Sequence, residues 1–167
     1  MRRTIGPLLV ALAVLTACGA GGSASAASSA APTPNPQADV ASIYRLQASF
    51  HRAASTKDLD LMMSLWTDTA TFTVGGKTYT GKPDIRNWFA TVSGAFKPQN
   101  NWVSDSPSYK TNISVAGDKG TLRFECHYID VSTKRVMSIA TADTKVARVA
   151  GQWLFADVVA GSGTLGS

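Results

Sequence analysis

His51 and His127 are the only side chains in this sequence that ordinarily titrate near neutrality, so any proton-transfer chemistry starts with them. His127 follows the chain's single glutamate, Glu125, by two residues, a spacing that puts both on one face of a strand. Asp143 stands in a run of small residues, Ile139-Ala140-Thr141-Ala142-Asp143-Thr144. A carboxylate buried there needs hydrogen bonds, or its pKa rises and it becomes a proton donor. With His127 as base and Asp143 as donor, the chain could move a proton on a carbonyl-bearing molecule without a cofactor. His51 follows Phe50 on the first expected helix and is expected to point off its packing face. Cys126 and His127 are adjacent, so a strand sends them to opposite faces. That argues against a Cys–His nucleophile pair and against a tetrahedral metal site. The Gly161-x-Gly163-x-x-Gly166 spacing has no strand–helix unit after it, which removes a dinucleotide loop. The expectation is that neither a metal nor an organic cofactor is needed.

These residues need elements to hold them. Val40, Ile43, Leu46 (or Gln47), Phe50 and Ala54 lie at the spacing of one helical face, predicting a helix over 38–54 with Asp39 in its first turn. Asp58 reads as the N-cap of a short second helix that turns Leu59, Met62, Met63 and Trp66 inward. Residues 70–74 (ATFTV) alternate, and Gly75-Gly76 turns them into residues 77–79 as a hairpin. Lys82-Pro83-Asp84 opens a third helix with Ile85, Trp88, Phe89 and Val92 on one face. Strands are then expected at about 102–115, 120–131, 135–148 and 152–159, separated by Ala116-Gly117-Asp118, Ser132-Thr133 and Ala150-Gly151. Helices followed by a meander predict an α+β fold, with three N-terminal helices packed on an antiparallel sheet.

The 167 residues suit one domain, and a hydrophobic share of 44% with 16% charge fits a globular chain. Its net charge of +5 includes Arg2 and Arg3. The other basic residues are scattered, with only Lys134-Arg135 adjacent, which argues against a nucleic-acid partner. Arg2-Arg3, the apolar run 8–15 (LLVALAVL) and Leu15-Thr16-Ala17-Cys18 form an export signal. The run is too short to span a bilayer, which takes about 20 apolar residues. Its end resembles a bacterial lipoprotein signal, in which residues 1–17 are removed and Cys18 is lipidated. Residues 18–37 then read as a flexible Ala/Ser/Gly/Pro tether, 38–160 as the folded domain and 161–167 as a disordered tail. The expected location is the extracytoplasmic face of the cell membrane, held by the lipid.

Several motifs run in a telling order: Lys57-Asp58-Leu59-Asp60, residues 65–72 (LWTDTATF), Gly81-Lys82-Pro83-Asp84-Ile85 with Trp88-Phe89, Gly117-Asp118, and residues 149–153 (VAGQW). Together they resemble a SnoaL-like domain of the nuclear-transport-factor-2-like superfamily. The resemblance implies a cone, with a strongly curved sheet around the helices, a pocket in its mouth and frequent homodimers. It also implies a small hydrophobic partner in that pocket. Compared with ketosteroid isomerase of the same superfamily, the base position falls on Val74 and the phenol position on Phe50, which removes that activity. An ungapped alignment puts Arg123, Glu125 and His127 in the pocket. Hydrophobic alternation says the reverse, with Leu122, Phe124, Cys126 and Tyr128 inside, and one residue of slip exchanges the two sets. The expected site therefore has His127 and Asp143 as catalytic residues, with Phe50, Trp66, Glu125 and Tyr128 around the ligand. The rival expectation is an assembly module that docks a partner through an apolar sheet face.

Overall fold

The computed structural model describes residues 35–104 and 110–165; Cys18, the export signal and nearly all of the tether lie outside the described residues. Helix α1 (Pro36–Thr56) starts where proline is tolerated, at its first turn, and the Asn35 side chain caps it by accepting from the Ala38 amide at 3.2 Å. Asp39 stands in the first turn, as expected, and also reaches across to the sheet. It pairs with Arg148 Nη2 at 2.6 Å and accepts from Trp153 Nε1 at 3.2 Å, fastening the start of α1 to the sheet. Helix α2 (Leu59–Ser64) is capped by Asp58, which accepts from the Leu61 amide at 2.8 Å.

Strands β1 (Trp66–Val74) and β2 (Lys77–Thr80) form the expected hairpin. Gly75 and Gly76 both have positive φ, 58° and 76°, the backbone of a two-residue turn that matches strand twist. Helix α3 (Gly81–Thr91) follows the hairpin, in the order its residues predict, so a strand pair precedes the last of the three helices. A 3-10 turn (Gly94–Phe96) leads to β3 (Trp102–Ser104) and β4 (Lys110–Ala116), where one strand had been expected. The meander continues through β5 (Lys119–Asp130), β6 (Val136–Val149) and β7 (Gln152–Ser162).

The sheet is mixed rather than purely antiparallel. Its order is β2-β1-β7-β6-β5-β3, with β4 also on β5, and β1 runs parallel to β7. Register shifts at Trp66/Thr71, Tyr128/Ile129 and Lys145/Val146 bend the strands and curve the sheet around the helices. Ile43, Leu46, Ala54, Met62, Ile85 and Phe89 from the helices pack on Leu122, Phe124, Val146 and Phe155 of the sheet. Contact is close enough to demand a glycine at one point. A Cβ on Gly120 would lie 2.6 Å from the Ser114 carbonyl oxygen and 3.4 Å from Ile43 of α1. Strand β7 runs two residues past the expected domain end. Beyond it, the Gly163 amide donates to the Ile139 carbonyl at 3.1 Å and the Leu165 amide to Glu125 Oε2 at 2.8 Å.

Candidate functional site: an aromatic cavity between helices and sheet

Alternation along β5 sends Leu122, Phe124, Cys126 and Tyr128 toward the helices, and the last three line a cavity of about 80 Å³. Phe50 of α1, Trp66 and Phe72 of β1, Trp88 and Phe89 of α3, and Phe155 of β7 supply its aromatic walls. Phe50 meets Phe89, Phe124 and Phe155 edge-on, with ring centroids 6.1, 5.7 and 5.8 Å away. Phe72 stacks on Phe89 at 5.6 Å, and Trp88 meets Phe72 edge-on at 4.7 Å. Such edge and offset contacts hold rings rigidly, so this wall is preformed. Ala140, Ala142 and Ala160 leave the sheet side of the cavity low.

At Trp88, Ser93, Tyr128 and Ala140 the cavity adjoins a more open recess of about 200 Å³, which also takes in Trp102 and Ser138. The closed part is smaller than the roughly 150 Å³ cavity that accepts benzene. A ring-bearing molecule would therefore have to occupy both spaces, with the Trp88 and Tyr128 side chains at the passage between them.

One wall carries a buried polar chain. Gln47, His51, Ser104 and Cys126 are each buried, and Ser104 Oγ lies 3.0 Å from His51 Nδ1 and 2.9 Å from Cys126 Sγ. Gln47 Nε2 lies 3.0 Å from His51 Nε2, while Cys126 Sγ is 3.8 Å from His51 Nδ1. With the Gln47 amide nitrogen donating to Nε2, the ring proton sits on Nδ1 and is donated to Ser104, whose hydroxyl can then donate to the thiol. Burial first, and then the adjoining Cys126 sulfur, push the Tyr128 phenol well above its ordinary pKa. Tyr128 therefore remains a neutral hydroxyl at the cavity wall. The arrangement can hold an apolar molecule and present neutral donors to it, but it offers no ready carboxylate.

Of the residues expected at the site, Phe50, Trp66 and Tyr128 line the cavity. Glu125, His127 and Asp143 do not, because hydrophobic alternation rather than the ungapped alignment sets the face of β5. Glu125 lies on the outer face of the sheet, buried under a clamp of its neighbours. His127 Nε2 is 2.6 Å from Glu125 Oε1, and Lys110 Nζ is 3.9 Å from Oε2. The His127 bond and the Leu165 amide, in that order, hold the Glu125 carboxyl below its ordinary pKa. Asp143 pairs with Arg123 at 2.5 Å on the exposed side of β6 and β5, so it is not the buried proton donor expected.

His51, expected to point off the packing face, is instead buried. The adjacent histidine ruled out as a partner for Cys126 was His127, whereas the partner comes from the helix opposite. The available signal was the polar row Gln47, His51 and Ser55, spaced by four along α1 beside its apolar stripe. Among the described residues, no three His, Cys, Asp or Glu side chains converge as a metal site would require.

The sequence model of the SnoaL-like domain family matches residues 37–159. Among solved structures, a protein of unknown function with a cystatin-like fold from Nostoc punctiforme superposes with a TM-score of 0.67 at 14% identity, over 75% of this chain and 92% of that one. A putative dehydratase of the nuclear-transport-factor-2-like family from Streptomyces avermitilis gives 0.62 at 15% identity, over 78% of this chain and 100% of that one. The hexachlorocyclohexane dehydrochlorinase LinA-type3 from Novosphingobium barchaimii gives 0.61 at 19% identity, over 77% and 88%. At these identities the likeness is one of fold. No match was found among curated proteins.

Proposed function

The chain belongs to the SnoaL-like domain family, and from that premise we propose that it binds a small, ring-bearing hydrophobic molecule in the cavity between α1, α3 and the curved sheet. The observation that carries this reading is the wall itself: rigid aromatic rings on three sides, small alanines on the fourth and a few neutral polar atoms at one end. Ligand sites have this composition, mostly apolar with a few placed polar groups. A dehydratase and a dehydrochlorinase among its structural neighbours add proton transfer as the reaction class that suits the fold. We place that role with Tyr128 and the His51–Ser104–Cys126 chain rather than with His127 and Asp143.

The same proposal includes the cone shape, export, tethering through lipid on Cys18 and pairing as a homodimer. Labelled fatty acid incorporated into the full chain but not into its Cys18→Ala variant tests the tether, and sedimentation equilibrium of the detergent-solubilised chain tests the pair. The rival assembly reading needs an apolar outer face. The centre of that face carries the Arg123–Asp143 pair at 2.5 Å and the Lys145–Asp157 pair at 3.0 Å, which favours the cavity as the functional surface.

The test of ligand binding is mass spectrometry on an organic extract of the protein purified from its own host. A stoichiometric hydrophobic compound, absent from the Ala140→Trp variant whose indole would fill the passage, supports the reading. An empty cavity in wild-type protein overturns it.

A further inference from the structure

The turn between β5 and β6 carries a surface unlike the charged centre of the sheet. Residues 131–137 are all exposed, and they include Val131, Val136 and Met137, with 43%, 50% and 46% of their surface in water. Single exposed apolar side chains are ordinary, whereas clustered ones mark contact sites. These three share one turn with Lys134 and Arg135, the only adjacent basic pair besides Arg2-Arg3. Neither forms an ion pair among the described residues. The one acid of the turn, Asp130, accepts from the Ser132 and Thr133 amides at 2.9 and 2.7 Å. The Asp130 amide donates to the Arg135 carbonyl and the Lys134 amide to the Asp130 carbonyl, both at 2.9 Å, which holds the turn in shape.

This tip also stands at the mouth of the cavity. Pairing steps from Ile129–Val136 to Tyr128–Ser138, so Met137 is the extra residue of a bulge. Bulges re-aim side chains. Tyr128 and Ser138, next along the two strands, line the open recess. Val92, 54% exposed, lines the same recess from the end of α3. Of the eight large hydrophobic side chains exposed among the described residues, four therefore lie at this tip and recess.

We propose that the 131–137 tip is a membrane-contact surface: Val131, Val136 and Met137 enter the headgroup layer of an anionic bilayer, and Lys134 and Arg135 meet its phosphates. Anionic lipid attracts basic residues at its surface, and long basic side chains lay their stems along apolar groups while their charged ends stay among headgroups. A protein partner fits less well, because a stable interface draws on about 20–30 residues a side. The contact makes the recess open at the bilayer, so that a hydrophobic molecule passes from lipid to cavity without crossing water. That consequence rests on the reading of the cavity as a ligand site; the contact itself does not, and it does not need the lipid on Cys18.

The chain has four methionines, of which Met62 and Met63 are buried and Met137 is exposed. The test takes the full chain with ¹³C-labelled methionine methyls, in nanodiscs of equimolar phosphatidylcholine and phosphatidylglycerol, with and without doxyl-labelled lipid. The doxyl label should remove most of the peak height of the Met137 methyl, assigned through Met137→Leu. The Met62 and Met63 methyls should be unchanged, which reports an intact fold in the same spectrum. A methyl introduced by Val149→Met, exposed at the far end of β6, should be spared. Lys134→Glu combined with Arg135→Glu should restore the Met137 peak, and discs of phosphatidylcholine alone should broaden it less. An unaffected Met137 methyl, equal broadening at both ends of β6, or broadening that survives the double charge reversal overturns the membrane contact. Each of these leaves the cavity reading standing, since that reading is judged by the extracted ligand.

Discussion

Strand β5 faces two environments with residues one step apart. Toward the helices it presents Leu122, Phe124, Cys126 and Tyr128; away from them it presents Thr121, Arg123, Glu125 and His127. Arg123, Glu125 and His127 all lie on the outer set, where Arg123 pairs with Asp143 and Glu125 bonds His127 and lies near Lys110. The inner set keeps only a thiol and a phenol, joined to a histidine from α1 through Ser104. The difference teaches that richness in titratable groups does not mark the face of this strand that lines the cavity. Water and ion pairing make charge cheap outside, whereas a dry aromatic cavity tolerates only neutral polar atoms that bond one another.

The largest expected break in this comparison is Phe124→Ala, which removes a ring in contact with Phe50 and His51. It should cost about 3–5 kcal/mol, the usual range for truncating a core phenylalanine, whereas Thr121→Ala three positions earlier should shift the urea midpoint very little. Next comes Ser104→Ala, which strips the bridge between His51 and Cys126 and should cost about 1–3 kcal/mol by leaving buried partners unsatisfied. Urea denaturation measures both.

The third test probes the exception on the outer face, the buried Glu125. Its carboxyl is held below the ordinary range by His127 first and the Leu165 amide second, so the carboxylate form favours the folded state. That stability is fully present above the ordinary glutamate pKa and is lost as pH falls through the depressed folded value. Glu125→Gln should therefore be less stable than wild type at neutral pH and converge with it in acid, as read from midpoints across a pH series. Equal stability at every pH would mean the clamp contributes nothing. The smallest effect belongs to Arg123→Ala, whose partner Asp143 is more than half exposed; a change within about 1 kcal/mol is expected for such a surface pair.

Local chemistry explains which parts of this molecule were legible beforehand. The Asp58 cap, the Gly75-Gly76 turn and the alternation of β5 are short-range signals, and each appears where its residues stand. The start of β1 at Trp66 was hidden because Trp66 continues the helical spacing of Leu59, Met62 and Met63 and was expected on the second helix. There the Leu65 carbonyl is instead held by the Phe155 amide at 2.8 Å, a partner ninety residues away that no local pattern reveals. β5 keeps an unbroken register with β6 from Lys119 to Tyr128, so its hydrophobic alternation holds through Glu125 and His127 and overrides the ungapped alignment that put them inside. The aromatic wall was partly visible through Phe50, Trp66 and Tyr128. His51 was not, because its burial depends on Ser104 and Cys126 arriving from the sheet side.

The place of β7 bears on when the protein can fold at all. It lies between β1 and β6, pairing with one in parallel and the other antiparallel, although it is the last strand in the chain. Until residues 152–162 leave the ribosome, the early hairpin and the later meander share no strand and remain two unjoined fragments. Closure then depends on contacts between distant parts of the chain, which form slowly. A polypeptide that cannot complete its sheet until β7 is made stays threadable for longer, which suits the export proposed above.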